Sequence, residues 1–262
     1  MKKINTAVIL CGGMGSRLGS LGKKIPKTLV KIQGKEILWF ILKVLKKNHF
    51  NHIILPIGYR GSLIKNFCKK NSKIIKFVDI VETGIKTNIG KRIFKIKDKI
   101  KSENFLLLNG DAIFNFNLKR LFKEHEKIKN ELTFITGEIT YPYGTVGFSK
   151  NKVIDFNRNL VYDSIKIRNN LNYTAYNYTG MSIINKKKLL KYSNKFKNSE
   201  NFEVDFFPYC IKRVKTNMIK LSGFWHSIDN LKDVKAVNDK KFLKNKFNAL
   251  KKLKGKILSE DK

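Results

Sequence analysis

Cysteine, histidine, proline and acidic side chains are all scarce in this chain: 3 Cys, 4 His, 4 Pro and 20 Asp plus Glu among 262 residues. Each shortage closes off a class of protein. Cys11, Cys68 and Cys210 are odd in number, far apart and form no CxxC. They give neither a disulfide framework nor a zinc site, and they suit a reducing compartment. His49, His52, His125 and His226 fall at no metal-ligand spacing. Long apolar runs are missing too, and none approaches the roughly 20 residues of a membrane-spanning helix. The opening Met1-Lys2-Lys3 with the run Ile4 to Leu10 starts like a secretory signal, but that run is too short and Gly12-Gly13 interrupts it. The expectation is a cytoplasmic protein with no membrane partner.

The shortage of acid leaves 55 Lys plus Arg against 20 Asp plus Glu, a formal net charge of +35. Such a field attracts polyanions and raises RNA binding as one reading. The basic residues are mostly Lys, spread along the whole chain with abundant Asn and Ile. No Lys/Arg block stands beside an RNP-like aromatic signature. They therefore read as solvated faces without a specific nucleic-acid partner, although the field would still draw in nucleoside triphosphates.

What is present is a core and a regular alternation. Hydrophobic residues make up 42% of the chain, enough for a globular α/β protein. Residues 4–11, 52–57, 74–80 and 104–108 are short, apolar and β-branched, as buried parallel strands are. Residues 36–48, 62–70 and 118–129 carry apolar positions at helical spacing. Strand and helix thus alternate, which predicts a doubly wound, mostly parallel sheet. Further along, 132–139 and 179–184 read as strands, 144–156 as a pair of short strands, 186–192 and 203–214 as helices, and 218–225 as short strands around Gly223. From 231 the chain reads as helical and Lys-rich to its end. No repeat or linker divides it.

Chemistry is concentrated in the loop Gly12-Gly13-Met14-Gly15-Ser16-Arg17, directly after the first strand. Three glycines let backbone N–H groups approach and face phosphates, and the forked donors of Arg17 can clamp phosphate oxygens. Ten residues on, Lys27 of Pro26-Lys27 adds a second cation. The loop is neither a Walker A motif nor a G-x-G-x-x-G fingerprint. Two carboxylates complete the pattern. Asp111 follows a buried strand in Leu-Leu-Asn-Gly-Asp, and Asp229 follows Gly223-Phe224-Trp225. Alone, Asp111 reads equally as a turn residue; as a pair, such carboxylates can hold Mg²⁺, which prefers oxygen ligands and triphosphate.

Strand, Gly-Gly-x-Gly-x-Arg and Pro-Lys together resemble the signature of the sugar-1-phosphate nucleotidylyltransferases, and within them the glucose-1-phosphate cytidylyltransferases. The resemblance continues through Gly34-Lys35-Glu36, Gly58-Tyr59-Arg60-Gly61, Thr83-Gly84 with Gly90-Lys91-Arg92, Asn109-Gly110-Asp111 and Gly223 to Asp229. It implies a Rossmann-like three-layer α/β/α fold with a mostly parallel central sheet and a small mixed-sheet acceptor region. The expected division is a nucleotidyltransferase domain over 1–238, with an acceptor-side subregion at about 140–222, and a Lys-rich helical tail over 239–262. Implied roles are Arg17 and Lys27 as catalytic cations and Asp111 and Asp229 as Mg²⁺ ligands. Leu10, Gly12, Gly13, Gly15, Ser16, Thr83, Gly84, Gly90, Arg92 and Gly110 would bind nucleotide. Tyr143, Gly144, Arg158, Thr179 and Gly180 would bind the acceptor. The partners implied are a nucleoside triphosphate, CTP by the closest pattern, and a sugar 1-phosphate such as glucose 1-phosphate, the product serving a surface polysaccharide. A homo-oligomer is compatible with this.

The pattern departs at one place. Many members carry Phe-x-Glu-Lys-Pro, whose Lys grips the sugar phosphate. Here the run is Asp155-Phe156-Asn157-Arg158-Asn159, so Arg158 stands as the nearest cation. This leaves guanylyl or thymidylyl transfer to another phosphorylated acceptor open. A catalytically inactive nucleotide-sugar-binding homologue is the non-enzymatic alternative, and joint retention of Arg17, Lys27, Asp111 and Asp229 argues against it. Trp39 and Trp225 read as packing residues.

Overall fold

A computed structural model describes residues 4–74, 78–116, 118–140, 143–158, 161–162, 164–167, 173–199, 202–221 and 223–239. The Lys-rich tail beyond Asp239, and Asn159 of the Asp155–Asn159 run, lie outside the described residues.

The apolar runs assemble as their composition predicts. Thr6–Leu10 is an interior strand of a seven-stranded sheet, parallel to His52–Ile57 on one side and to Asn104–Asn109, the central strand, on the other. Val78–Glu82 closes one edge in parallel with His52–Ile57. Beyond Asn104–Asn109 come Asn177–Asn185, Leu132–Gly137 and Thr216–Lys220. Only Asn177–Asn185 runs against the rest, antiparallel to both of its neighbours.

Period-two alternation distributes each strand between two cores. Ala7, Ile9, Ile53, Leu55, Leu106 and Leu108 face one layer, packed with Phe40 and Leu45 of helix Ile37–Lys47, Ile64 of helix Gly61–Lys70 and Leu118 of helix Leu118–Lys127. Val8, Ile54 and Leu107 face the other, against Ile93 and Ile96 of helix Ile89–Ile96 and Phe206 and Phe207 of helix Phe202–Ile211. This is a three-layer α/β/α sandwich with a mostly parallel sheet. No helix among the described residues is long and apolar enough to cross a membrane.

Three differences from the sequence reading matter. The strand expected at 74–80 is Val78–Glu82, and Ile74 is buried in the turn after the preceding helix. Helix Ile89–Ile96 was not foreseen, being only eight residues long and rich in Gly, Lys and Arg; Asn88 caps it, its side chain accepting from the Lys91 N–H. Strand Ala112–Phe116 was also missed, because its partner is Gly223–Ser227, far along the chain. The stretch 140–222 contributes two strands to the central sheet. Outside the sheet it forms small antiparallel ribbons, the largest being Gly144–Ser149 with Lys152–Arg158.

Candidate active site

The carboxyl ends of parallel strands are where such sheets place ligands. A cleft of about 1050 Å³ opens there, lined by Leu10 to Arg17, Lys27 and Thr28, Ile85 to Ile89, Asn109 to Asp111 and Asn177 to Gly180, with Arg92, Trp225, Ser227 and Asp229 among its other walls.

The glycine loop turns sharply at Gly15, whose φ of 61° is left-handed, a conformation that glycine adopts at little cost. Ser16–Leu18 then forms a single 3-10 turn, placing the Arg17 side chain in the open. Pro26, extended at φ −60° and ψ 145°, leads into a second such turn, Lys27–Leu29, which carries Lys27 into the cleft. Across from it, the ladder between Ala112–Phe116 and Gly223–Ser227 pairs Ala112 with Ser227. The Ile228 N–H donates to the Asp111 carbonyl at 2.9 Å. This pairing brings together two aspartates 118 residues apart, Asp111 and Asp229.

Lys27 Nζ donates to Asp111 Oδ2 at 2.7 Å and to Asp229 Oδ1 at 2.9 Å. Arg17 Nη1 lies 3.3 Å from the same Asp229 oxygen. The Ser227 hydroxyl donates to the other, Oδ2, at 2.6 Å. The Asp229 N–H donates to Asp233 Oδ2 at 2.7 Å, and Asp233 forms a capping box with Asn230 at the start of helix Leu231–Asn238. Burial opposes ionisation of Asp229. Hydrogen bonds from Ser227 and Lys27, with the charges of Lys27 and Arg17, outweigh it and hold the carboxyl below its ordinary value. Cys11 also lines the cleft, but burial pushes its thiol up, so it is a packing group and not a nucleophile.

A third cation, Arg92, organises the loops from beneath. Arg92 is 3% exposed. Its Nη1 donates to the Ile57 carbonyl at 3.2 Å and to Thr83 Oγ1 at 2.5 Å; its Nη2 donates to the carbonyls of Gly12 at 2.9 Å and Ile85 at 3.3 Å. One guanidinium thereby ties the glycine loop to the loops that follow two neighbouring strands. A side chain at Gly12 would have its Cβ 2.0 Å from Arg92 Nη1, so that glycine makes room for arginine. At Gly13 a Cβ would meet nothing within 4 Å.

Of the expected site residues, Leu10, Gly12, Gly13, Gly15, Ser16, Arg17, Lys27, Arg92, Gly110, Asp111, Thr179, Gly180 and Asp229 line the cleft. Thr83, Gly84, Gly90, Tyr143, Gly144 and Arg158 are not among its walls. Thr83 is buried beneath, where its hydroxyl donates to the Ile57 carbonyl at 2.7 Å, and Gly90 is buried within helix Ile89–Ile96. Tyr143, Gly144 and Arg158 sit exposed on or beside the ribbon outside the sheet. The sequence reading overlooked Ser227 and Asp233, which orient Asp229, and the run Ile85 to Ile89, which walls the cleft. Their signal was available only as proximity to Asp229 and to Thr83-Gly84. Trp225, expected as packing, both lines the cleft and donates from Nε1 to the Thr179 carbonyl at 3.0 Å.

Comparison with known proteins gives the family. The family model described as nucleotidyl transferase matches residues 6–241. A probable glucose-1-phosphate cytidylyltransferase of Bacillus subtilis is 30% identical over 253 residues, covering 88% of this chain and 94% of that one. A D-glycero-alpha-D-manno-heptose 1-phosphate guanylyltransferase of Aneurinibacillus thermoaerophilus is 31% identical over 152 residues, covering 57% of this chain and 66% of its own. The crystal structure of HddC from Yersinia pseudotuberculosis shares the fold, with a TM-score of 0.66 at 21% identity, across 91% of this chain and 100% of that one. The glycine loop, the paired aspartates and these matches lead to one conclusion: the chain belongs to the nucleotidyl transferase family, among the sugar-phosphate nucleotidyltransferases.

Proposed function

We propose that this protein is a Mg²⁺-dependent cytidylyltransferase, which converts CTP and a sugar 1-phosphate, glucose 1-phosphate first among candidates, to a CDP-sugar and pyrophosphate for a surface polysaccharide. The observation that carries nucleotidyl transfer is Lys27 held between Asp111 and Asp229 at the mouth of the glycine loop, with Arg17 beside it. The near full-length similarity to a probable glucose-1-phosphate cytidylyltransferase favours cytosine and glucose.

The donor set fits the metal. Asp111 and Asp229 offer two hard carboxylates that already enclose one cation, the Lys27 ammonium. Mg²⁺ characteristically takes one or two carboxylates and completes its shell with water and substrate phosphates. When bound it supplies neutralisation of the phosphate charge.

The chain's own residues do the rest. An oxygen of the sugar phosphate attacks the α-phosphorus; a P–O bond forms there as the α–β bridge breaks and pyrophosphate leaves in line. The nucleophile is already an anion, so no general base is needed, and positioning and charge stabilisation dominate. The N–H groups of Gly12 to Ser16 and Arg17 bind the β- and γ-phosphates, where charge accumulates. Lys27 serves the α-phosphate and the incoming phosphate. Ile85 to Ile89 face the base and ribose. Asn177 to Gly180 and Trp225 receive the sugar, while Arg158 and Tyr143 reach it only if their ribbon folds over the cleft.

The test is pyrophosphate release with each of CTP, GTP, dTTP and UTP, Mg²⁺ and a panel of sugar 1-phosphates. CTP with glucose 1-phosphate should give the highest kcat/KM. A preference for GTP with a heptose phosphate would move the assignment to guanylyl transfer. Release from no pair would overturn the enzyme reading.

A further inference from the structure

The oxygens that face each other across the site are the ones Lys27 holds. Its Nζ lies 2.7 Å from Asp111 Oδ2 and 2.9 Å from Asp229 Oδ1, and Arg17 is 3.3 Å from the latter. The second Asp229 oxygen is taken by the Ser227 hydroxyl. Mg²⁺ requires oxygens at about 2.0–2.1 Å. An ammonium within hydrogen-bond distance of both carboxylates fills the point where such an ion would sit. Lys27 and a divalent cation therefore compete for the same two oxygens.

Lys27 does not yield them freely. Its side chain is only 13% exposed, so a displaced ammonium needs another anion close by. The glycine loop borders it: the position of a Cβ on Gly15 is 3.4 Å from Lys27 Cβ. A phosphate seated on that loop is the anion within reach. Charge balance points the same way. Two carboxylates against Lys27 and Arg17 are neutral; a divalent cation added alone leaves the site strongly positive, whereas one that arrives with a triphosphate does not.

Resting on the functional reading above, we infer that Lys27 is a charge placeholder that couples metal to nucleotide: a divalent cation gains the two aspartates only as a triphosphate draws the ammonium onto itself. Thermodynamic linkage makes the coupling reciprocal, so metal and nucleotide each tighten the other's binding. The same lysine thus opposes metal and favours nucleotide, two effects of opposite sign on one side chain.

The experiment titrates Mn²⁺ alone into the full-length protein and follows the free ion by electron paramagnetic resonance. Wild type is compared with Lys27→Met and Lys27→Gln, with thermal melts to establish folding. Both variants should bind Mn²⁺ at least about tenfold more tightly than wild type, the low end of couplings between close charge pairs. Both should also bind CTP more weakly in the absence of metal. Lys27→Arg keeps the positive charge and should stay near the wild-type Mn²⁺ affinity, and adding Asp111→Asn to Lys27→Met should abolish the gain. A residue that merely supports the fold would not tighten metal binding when removed. Equal Mn²⁺ affinity in wild type and the folded neutral variants overturns the coupling, even with pyrophosphate release intact. Absence of pyrophosphate release with every nucleotide and acceptor overturns the functional reading instead, whatever the Mn²⁺ titration shows.

Discussion

Gly12 and Gly13 are adjacent, belong to the same loop and have the same expected role, yet the structure assigns them opposite tolerances. Gly12→Ala places a methyl group 2.0 Å from Arg92 Nη1 and 2.2 Å from Cζ. An arginine tip on a surface would swing aside. Arg92 is buried and donates to Ile57, Thr83, Gly12 and Ile85, so displacing it leaves a buried cation and several acceptors without their partners. A buried charged donor left unsatisfied, together with several acceptors at about 1–3 kcal/mol each, puts the loss at about 3–5 kcal/mol. The lower figure corresponds to a melting shift of about 6–12 °C for a domain of this size. Gly13→Ala meets nothing and its φ is not left-handed, so it should stay within about 0.5 kcal/mol of wild type, like most substitutions away from special features. Urea unfolding of both variants measures the contrast. The decisive arm is a double-mutant cycle: in an Arg92→Ala background the cost of Gly12→Ala should largely vanish, because the two changes remove one interaction. Full additivity, or a Gly12→Ala melt within about 1 °C of wild type, would show that Arg92 does not set the requirement for glycine.

Two further outcomes are expected. Asp111→Asn and Arg17→Ala should each lower turnover by about a hundredfold or more, as removal of a charge-stabilising group does, with folding intact by circular dichroism; near-normal turnover in either would reassign its role. His125 is 1% exposed, its Nδ1 is 2.7 Å from Thr133 Oγ1, and burial brings its imidazole down to about 4 from 6.5. Between those values the unfolded chain binds a proton that the folded one does not, so stability must fall as pH drops from about 6.5 towards 4. At about 1.4 kcal/mol per unit the loss is on the order of 3 kcal/mol. His125→Gln should flatten this limb of the melting curve against pH, and an unchanged slope would place the titration elsewhere.

The layers of the fold were legible in the sequence because they rest on local pattern. Apolar β-branched runs such as Ile53-Ile54-Leu55 can be satisfied only in a buried strand, and the stripe of Ile37 to Leu45 only by a helix on a sheet. The glycine loop was legible for the same reason: glycines directly after a strand are a local backbone device. Helix Ile89–Ile96 and strand Ala112–Phe116 escaped, since short segments owe their form to their partners and not to their own propensity.

The site itself divides along that line. Sequence determined that Arg17 and Lys27 are cations beside a glycine loop and that Asp111 and Asp229 are carboxylates at the ends of apolar segments. Only the tertiary structure decided that the two aspartates meet, because the ladder joining Ala112 to Ser227 pairs residues 115 apart in the chain. It also decided that Lys27 stands between them, that Gly12 is small on account of Arg92, and that Thr83 supports the cleft from below. Charge type and backbone freedom are properties of single residues and can be read one at a time. Which charges neutralise each other depends on distance across the fold, and distance between remote residues is fixed by packing.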